Sequence, residues 1–117
     1  MSVTHKTKKV LLASVLTLSF TTVSFAAYGQ DVKKGEAVYT AQKCSLCHQI
    51  AGKGNKASPL DGVGGKLSAD NIRQWITHPT EAAAKAKSTK KPPMPDRYAK
   101  LPPADIDALV AYMQSLK

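Results

Sequence analysis

The chain has 117 residues, with 17 lysines and arginines against eight acidic residues, for a formal net charge of +9. This length suits one small domain and excludes a large multidomain enzyme. Only one tryptophan and two phenylalanines are present, and both phenylalanines lie before residue 26. The rest of the chain is therefore too poor in aromatic side chains to build a large core from its own residues.

Residues 1–26 have the order of features that is typical of a secretory signal. Three lysines in "MSVTHKTKKV" precede the apolar run "LLASVLTLSFTTVSFAA", which ends in small residues. Ser24 and Ala26 predict cleavage after Ala26, with a cut after Gly29 as the second choice. An uncleaved anchor is the alternative, although the run is near the short end of what spans a bilayer. We expect a mature domain of residues 27–117 in the periplasm, not inserted in the membrane.

The mature chain begins with a predicted helix and continues into a long loop. Val32, Gly35, Val38 and Tyr39 recur at helical spacing, and Asp31 is expected to cap the helix. Residues 49–66 contain five glycines and no periodicity, which predicts an irregular loop. Loops of this length in a compact domain commonly surround a ligand or are disordered.

A second helix is predicted from Ser68 to His78. Ser68 is a suitable N-cap, Asp70 lies in the first turn, and Pro79 ends the helix. One apolar face is expected from Ile72, Trp75 and Ile76, and the hydrophobic residues at 67 and 72 are spaced as a staple. The following residues, through "KKPPMPDRY", are predicted to be mostly irregular, with one or two helical turns near residue 81.

The strongest predicted helix is "PPADIDALVAYMQSLK" at the end of the chain. Pro103 suits the first turn, and Asp105 and Asp107 favour the positive end of the helix dipole. Apolar residues at 106, 109, 110, 113 and 116 form one face. Because no stretch alternates with period two for long enough to form a strand, the predicted fold class is all-α with a single domain.

The segment "CSLCH" holds both cysteines of the chain, Cys44 and Cys47, followed by His48. A structural zinc site needs four ligands, and the chain offers no further set at a recognisable spacing. A redox disulfide would be expected in a thioredoxin-like βαβ context, which the chain does not show. The third interpretation is covalent attachment of c-type haem through two thioethers, with the imidazole of His48 reaching the iron. Haem would also supply the missing apolar centre.

With these residues in place, the chain from about Asp31 to Lys117 resembles a single-haem class I cytochrome c of the small bacterial type. The matching pieces, in the family's order, are "KKGEAVYTAQKCSLCHQIAG", "SPLDGVGGKLS", "IRQWITHP", "PPMP" and "LPPADIDALVAYMQSL". The resemblance implies the small cytochrome c fold, in which the N- and C-terminal helices cross and loops and short helices surround one haem. It also implies that Gly35 and Tyr39 pack near Tyr112, that His48 is the proximal ligand, and that a downstream methionine is the other.

Three side chains compete for the second axial position. Met94 lies in "KPPMPDR", where Pro93 and Pro95 stiffen the backbone that would hold a weakly binding thioether. Met113 is on the apolar face of the last helix and is expected in the core. His78 would give bis-histidine ligation, but its position before Pro79 is more typical of a helix end. The prediction is His48 and Met94 as the two iron ligands.

The chain departs from the family after the haem motif, where Gly-Pro-x-Leu-x-Gly is usual. Alignment on Leu60 and Gly62 places Ser58 where the family has proline, with Pro59 one position late. The carbonyl of residue 58 or 59 is expected to accept the second N–H of the proximal imidazole. By resemblance, Pro59 and Leu60 pack against haem. Trp75 either contacts the haem edge or a propionate, or is an ordinary core aromatic.

The resemblance implies transfer of one electron by a protein that is not itself an enzyme. Lysines before Met94, at positions 85, 87, 90 and 91, predict a positive rim that meets redox partners with acidic docking faces. A solvated lysine-rich loop is the alternative. Nucleic acid is not an expected partner, because no aromatic-basic face is visible.

Three functional classes are compatible with a haem-binding chain. The first is a free shuttle, expected to be monomeric. The second is the haem c subunit of an exported oxidoreductase complex, such as a dehydrogenase or a sulfur-compound oxidoreductase. The third, a gas sensor or peroxidase, would need an open or labile axial position on the iron.

Overall fold

The structure is a computed structural model, and it describes residues 25–117. The predicted leader therefore lies almost entirely outside the described residues. The chain forms five α-helices, two 3-10 helices and one pair of two-residue strands in this part, and the predicted all-α class is confirmed. Among these residues no helix has both the length and the apolar character needed to cross a bilayer.

Helix α1 (Phe25–Ala41) packs along α5 (Pro103–Ser115), the most extensive helix pairing in the described chain. Gly35 makes this close approach possible, because a Cβ at that position would lie 2.0 Å from the carbonyl oxygen of Ala108. The rings of Tyr39 and Tyr112 meet edge to face with centroids 5.8 Å apart. The predicted packing of Gly35 and Tyr39 near Tyr112 is confirmed. Ala108 is also buried, although it lies on the opposite side of α5 from the apolar face that was predicted.

The predicted start of the first helix was wrong. Asp31 lies inside α1 and does not cap it, because the helix already includes Phe25 and the residues that follow. Ala26 and Ala27 favour helix by intrinsic propensity. Tyr28 is also held against α5, with its hydroxyl 3.5 Å from the carbonyl oxygen of Ala111.

The long loop contains more regular structure than its glycine content indicated. Strands β1 (Gln49–Ile50) and β2 (Lys53–Gly54) pair antiparallel, and α2 (Val63–Lys66) follows. The β turn passes through Ala51 and Gly52, both with positive φ. The expectation of no strand and an irregular segment is therefore corrected, since turns with two left-handed residues allow such short pairs.

Helix α3 (Ala69–Thr77) is close to its prediction, with the Ser68 hydroxyl accepting the Asn71 N–H at 3.2 Å. Helix α4 (Pro79–Lys85) matches the predicted turns near residue 81. A 3-10 helix (Asp96–Lys100) after "PPMP" was not predicted. Together with α1 and α5 these elements enclose the core, whose buried members are Tyr39, Ile72, Ile76, Tyr98, Ile106, Leu109, Val110 and Met113.

Candidate functional site

An apolar cavity of about 390 Å³ lies between the helices, within the size range of small-molecule sites. Leu60, Trp75, Met94 and Tyr98 are part of its wall. Cys44 and His48 also line it, so the predicted attachment motif and the predicted methionine ligand face one space. A second cavity of about 110 Å³ shares Cys44, His48 and Met94 with the first and adds Cys47 and the residues on both sides of Met94.

A 3-10 helix (Cys44–Leu46) presents the "CSLCH" motif. The carbonyl oxygen of Cys44 accepts the backbone N–H groups of Cys47 and His48, at 3.1 and 3.0 Å. Lys43, immediately before it, has a left-handed backbone that ends α1 and starts this turn. The motif therefore forms one tight turn, with both thiols free and on the walls of the cavities.

The His48 ring is oriented by a backbone carbonyl. Its Nδ1 lies 3.2 Å from the carbonyl oxygen of Ser58, which decides between the two residues expected to supply this acceptor. Since a carbonyl oxygen only accepts, Nδ1 carries the hydrogen and Nε2 is free to bind a metal. Burial lowers the pKa of His48, and the bond to Ser58 offsets part of that effect. A neutral imidazole is the form that ligates metals.

Burial is also the main influence on the first cysteine, raising the pKa of the Cys44 thiol. A raised pKa keeps this sulfur protonated near neutral pH, whereas reactive redox cysteines have lowered values. In the described part of the chain, no cluster of three or more histidine, cysteine or carboxylate side chains could hold a metal ion. The raised pKa of Cys44 counts against the redox-disulfide interpretation.

The three candidate second ligands occupy different surroundings. Met94 is half-buried and lines both cavities. Met113 lines the larger cavity but is 7% exposed and belongs to the core cluster, as expected. His78 is exposed, with its Nδ1 2.8 Å from the Thr77 hydroxyl, and lines neither cavity.

Of the three other residues predicted to contact haem, two line the larger cavity and one lines neither cavity. Leu60 and Trp75 line the larger cavity, and the indole N–H of Trp75 has no hydrogen-bond partner within residues 25–117. Pro59 is exposed and lines neither cavity, whereas Ser58 lines both. Pro59 forms a bridge with Gln49, and its packing against haem stays a prediction.

The predicted lysine rim is only partly at the site. Lys90 lines both cavities and donates from Nζ to the carbonyl oxygen of Ala57 at 2.7 Å, and Lys91 lines the smaller cavity. Lys85 and Lys87 are exposed but line neither. Of the four predicted lysines, only Lys90 and Lys91 therefore line the cavities, while the guanidinium of Arg97 is the positive group that offsets part of the rise that burial causes in the pKa of Cys44.

Two site residues were not identified from the sequence. Tyr98 is buried and lines both cavities, and its hydroxyl accepts a hydrogen bond from Arg97 at 2.9 Å. The sequence could have indicated that Tyr98 belongs to the site, because it follows the predicted ligand Met94 by only four residues. Asn55 lies beside the attachment turn. The sequence indicated its role only through the tendency of an asparagine side chain to accept a hydrogen bond from the backbone two residues further on, as it does here from Ala57.

Comparison with known proteins agrees with this site. A family model described as cytochrome c matches residues 32–117. Over 93 residues the chain is 28% identical to cytochrome c oxidase subunit 2 of Alkalihalophilus pseudofirmus, a match that covers 72% of this chain and 25% of that protein. The chain thus spans about a quarter of the length of this relative. No solved structure matches this chain significantly.

Proposed function

Because the chain belongs to the cytochrome c family, whose members carry covalently attached haem c and transfer electrons, we propose that it is an exported one-electron carrier of the periplasm. In this proposal Cys44 and Cys47 form the two thioethers. His48 and Met94 would bind the iron. The supporting observation is that one pair of adjoining cavities is lined by all four of these side chains.

The cavity walls fit a large, flat, mostly apolar group. Aliphatic and aromatic side chains dominate the wall, while the two thiols and the imidazole come from one turn at its edge. When bound, haem c supplies an iron that gains and loses one electron. The chain's part is to attach the group, exclude water from it and leave an edge accessible to partners.

The hydrogen bond to Ser58 favours His48 as a ligand. It fixes the tautomer in which Nε2 has a free lone pair, and it orients the ring before any metal binds. Carbonyl acceptors on a ligating imidazole also raise its basicity, which strengthens its donation to the ferric ion.

Met94 is favoured over its rivals by its backbone. Prolines on both sides restrict the loop, and a partly exposed thioether at the cavity wall can be ordered without dismantling the core. Met113 would have to leave the cluster around Leu109 and Val110. With His48 and Met94 both bound, no iron position is left for a substrate, which favours a carrier over an enzyme, sensor or peroxidase.

The expected partners are redox proteins with acidic docking faces. Lys90 and Lys91 line the smaller cavity together with Cys47 and Met94, so they would bring an acidic partner to the part of the group bound there. Such contacts are brief and salt-sensitive. We expect the association rate with a partner to fall as ionic strength rises.

A second candidate is a haem c subunit of an exported oxidoreductase complex. The observation in its favour is the similarity to cytochrome c oxidase subunit 2, of which this chain would represent one part. Purification of the exported protein at its native level separates the two. A lone monomeric species supports the shuttle, whereas co-purification with a fixed partner supports the subunit.

The iron ligands are tested by absorption spectra of the oxidised and reduced protein. A weak far-red band from the sulfur–iron bond is expected in the wild type and in Met113→Leu, and its loss is expected in Met94→Leu. Met113→Leu is the matched control, because it exchanges another cavity-lining methionine for a side chain of similar volume. A band that survives Met94→Leu would overturn the assignment, as would its absence from the wild type.

A further inference from the structure

Asn55 follows strand β2 and lies against the carbonyl end of the attachment turn. Its backbone N–H is 3.1 Å from the carbonyl oxygen of Ser45 and 3.0 Å from that of His48. Its side-chain Nδ2 donates to the carbonyl oxygen of Leu46 at 3.1 Å. Asn55 therefore binds three of the five residues in "CSLCH".

Gly54 allows the backbone at residues 54 and 55 to lie close to the attachment turn. Its φ is +105°, and a Cβ there would lie 2.1 Å from the carbonyl oxygen of His48. A side chain at this position would displace the backbone that carries the Asn55 N–H. The contact between the 53–55 segment and the attachment turn thus depends on a residue without a Cβ.

Asn55 also binds the segment that holds the imidazole. Its Oδ1 accepts the N–H of Ala57 at 2.9 Å, and its carbonyl oxygen accepts that of Ser58 at 3.5 Å. The next carbonyl along this segment, that of Ser58, receives Nδ1–H of His48. One asparagine therefore joins the backbone of His48 to the acceptor of its own ring.

We propose that Asn55 is a positioning residue for the axial histidine, one that sets the strength of the hydrogen bond between His48 and Ser58. This inference rests on the proposed role of His48 as an iron ligand. Loss of the Asn55 side chain removes its bond to the Ala57 N–H, which restricts the Ala57–Ser58 segment less and lengthens the bond to Nδ1. A weaker bond makes the imidazole a poorer donor to ferric iron, so the reduced state becomes relatively more stable.

The test compares Asn55→Ala with Asn71→Ala in the haem-loaded protein. Asn71 is a suitable control because it is exposed on α3, and neither cavity includes it. In Asn55→Ala we expect the equilibrium constant for reduction to rise threefold to tenfold, tenfold being 59 mV for one electron. Exchange of the His48 Nδ1 proton, followed by NMR, should become faster. Asn71→Ala should change neither quantity.

Asn55→Ser supplies a rescue, because a serine hydroxyl can still accept the Ala57 N–H while losing the bond to Leu46. We expect it to recover more than half of the shift seen in Asn55→Ala. If Asn55→Ala does not retain haem, Asn55→Ser is compared with the wild type. We then expect a rise in its equilibrium constant for reduction that is smaller than the rise predicted for Asn55→Ala.

Two results would overturn the inference. One is a reduction potential and an exchange rate in Asn55→Ala that match those of Asn71→Ala. The other is an Asn55→Ser that shifts as far as Asn55→Ala or, where it is compared with the wild type, does not shift. Failure of the proposed function is seen separately, since a wild-type spectrum left unchanged by His48→Ala would exclude His48 as a ligand whatever Asn55 does.

Discussion

The Nδ1 atom of His48 lies 3.2 Å from the carbonyl oxygen of Ser58, ten residues further along the chain. The same carbonyl accepts the backbone N–H of Gln49, also at 3.2 Å. One oxygen thus orients the imidazole and pairs the loop with the start of β1. The family places a proline at this point, and here serine serves because the acceptor belongs to the backbone.

Ser58→Ala should therefore leave the site almost unchanged. The substitution keeps the carbonyl and removes only the hydroxyl, so we expect the free energy of unfolding to change by no more than about 0.5 kcal/mol. The reduction potential should also stay at its wild-type value. Urea unfolding and a redox titration measure the two quantities, and a shifted potential would mean that the hydroxyl, not the carbonyl, matters to the imidazole.

The attachment motif and the methionine loop could be predicted because their chemistry is local. Two thiols and an imidazole in five residues, and a methionine between prolines, are visible without knowledge of the fold. The acceptor of His48 was predicted only as the carbonyl of residue 58 or 59, since the choice between them depends on the path of the loop. That path is set by left-handed residues at Ala51 and Gly52 and by the bridge between Gln49 and Pro59.

The misplaced first helix start has a similar cause. Asp31 is a good cap by local propensity, but packing against α5 decides where α1 is helical. Tyr28 contacts α5 from a position that local rules placed outside the helix. By contrast, the start of α3 was predicted closely, because the Ser68 cap acts through a bond within its own first turn.

Gly35→Ala should strongly destabilise the domain. The added Cβ would lie 2.0 Å from the Ala108 carbonyl oxygen and 2.6 Å from the Tyr112 Cβ, and backbone cannot move aside as a flexible side chain can. Separating α1 from α5 should cost about 3 kcal/mol or more, at the upper end of overpacking effects. Urea unfolding of the loaded protein gives the value.

Gly29→Ala is the control for this substitution, because Gly29 is in the same helix with nothing within 4 Å of a new Cβ. Because Gly29 lies near the start of α1, alanine there should change the free energy of unfolding by less than about 1 kcal/mol. Equal effects of the two substitutions would show that helix propensity, and not the contact with α5, determines the outcome.

Removal of the attachment thiols should prevent stable folding without haem. Without haem, the apolar walls of the cavity, which is partly open to solvent, would face water instead of a packed group. A small domain has only about 5–15 kcal/mol of stability in total, so the loss of the group that fills its centre is expected to prevent folding. We expect haem-free Cys44→Ala/Cys47→Ala to lose cooperative thermal unfolding, as followed by circular dichroism.

Ser45→Ala is the matched control for the cysteine substitutions, since it changes the same exposed turn and keeps both thiols. It should load haem and unfold cooperatively. Cooperative unfolding of the haem-free double variant near the wild-type temperature would contradict the view that the bound group completes the core.

Tyr112 should make the stability depend on alkaline pH. Burial, helped by the nearby Glu36 carboxylate, raises the pKa of Tyr112 above its ordinary value of 10.0. The folded state therefore favours the neutral phenol. Its contribution to stability is complete below pH 10 and is lost as the pH rises through the folded-state pKa.

Tyr112→Phe keeps the ring that packs against Tyr39, and the Tyr112 hydroxyl donates no hydrogen bond within residues 25–117. We expect little change in the free energy of unfolding at pH 7 and a smaller loss than in the wild type from pH 10 upward. Lysine titration affects both proteins alike and cancels in the difference. Parallel pH curves for the two proteins would show that the Tyr112 phenol is not held in its neutral form by the packing of α1 on α5.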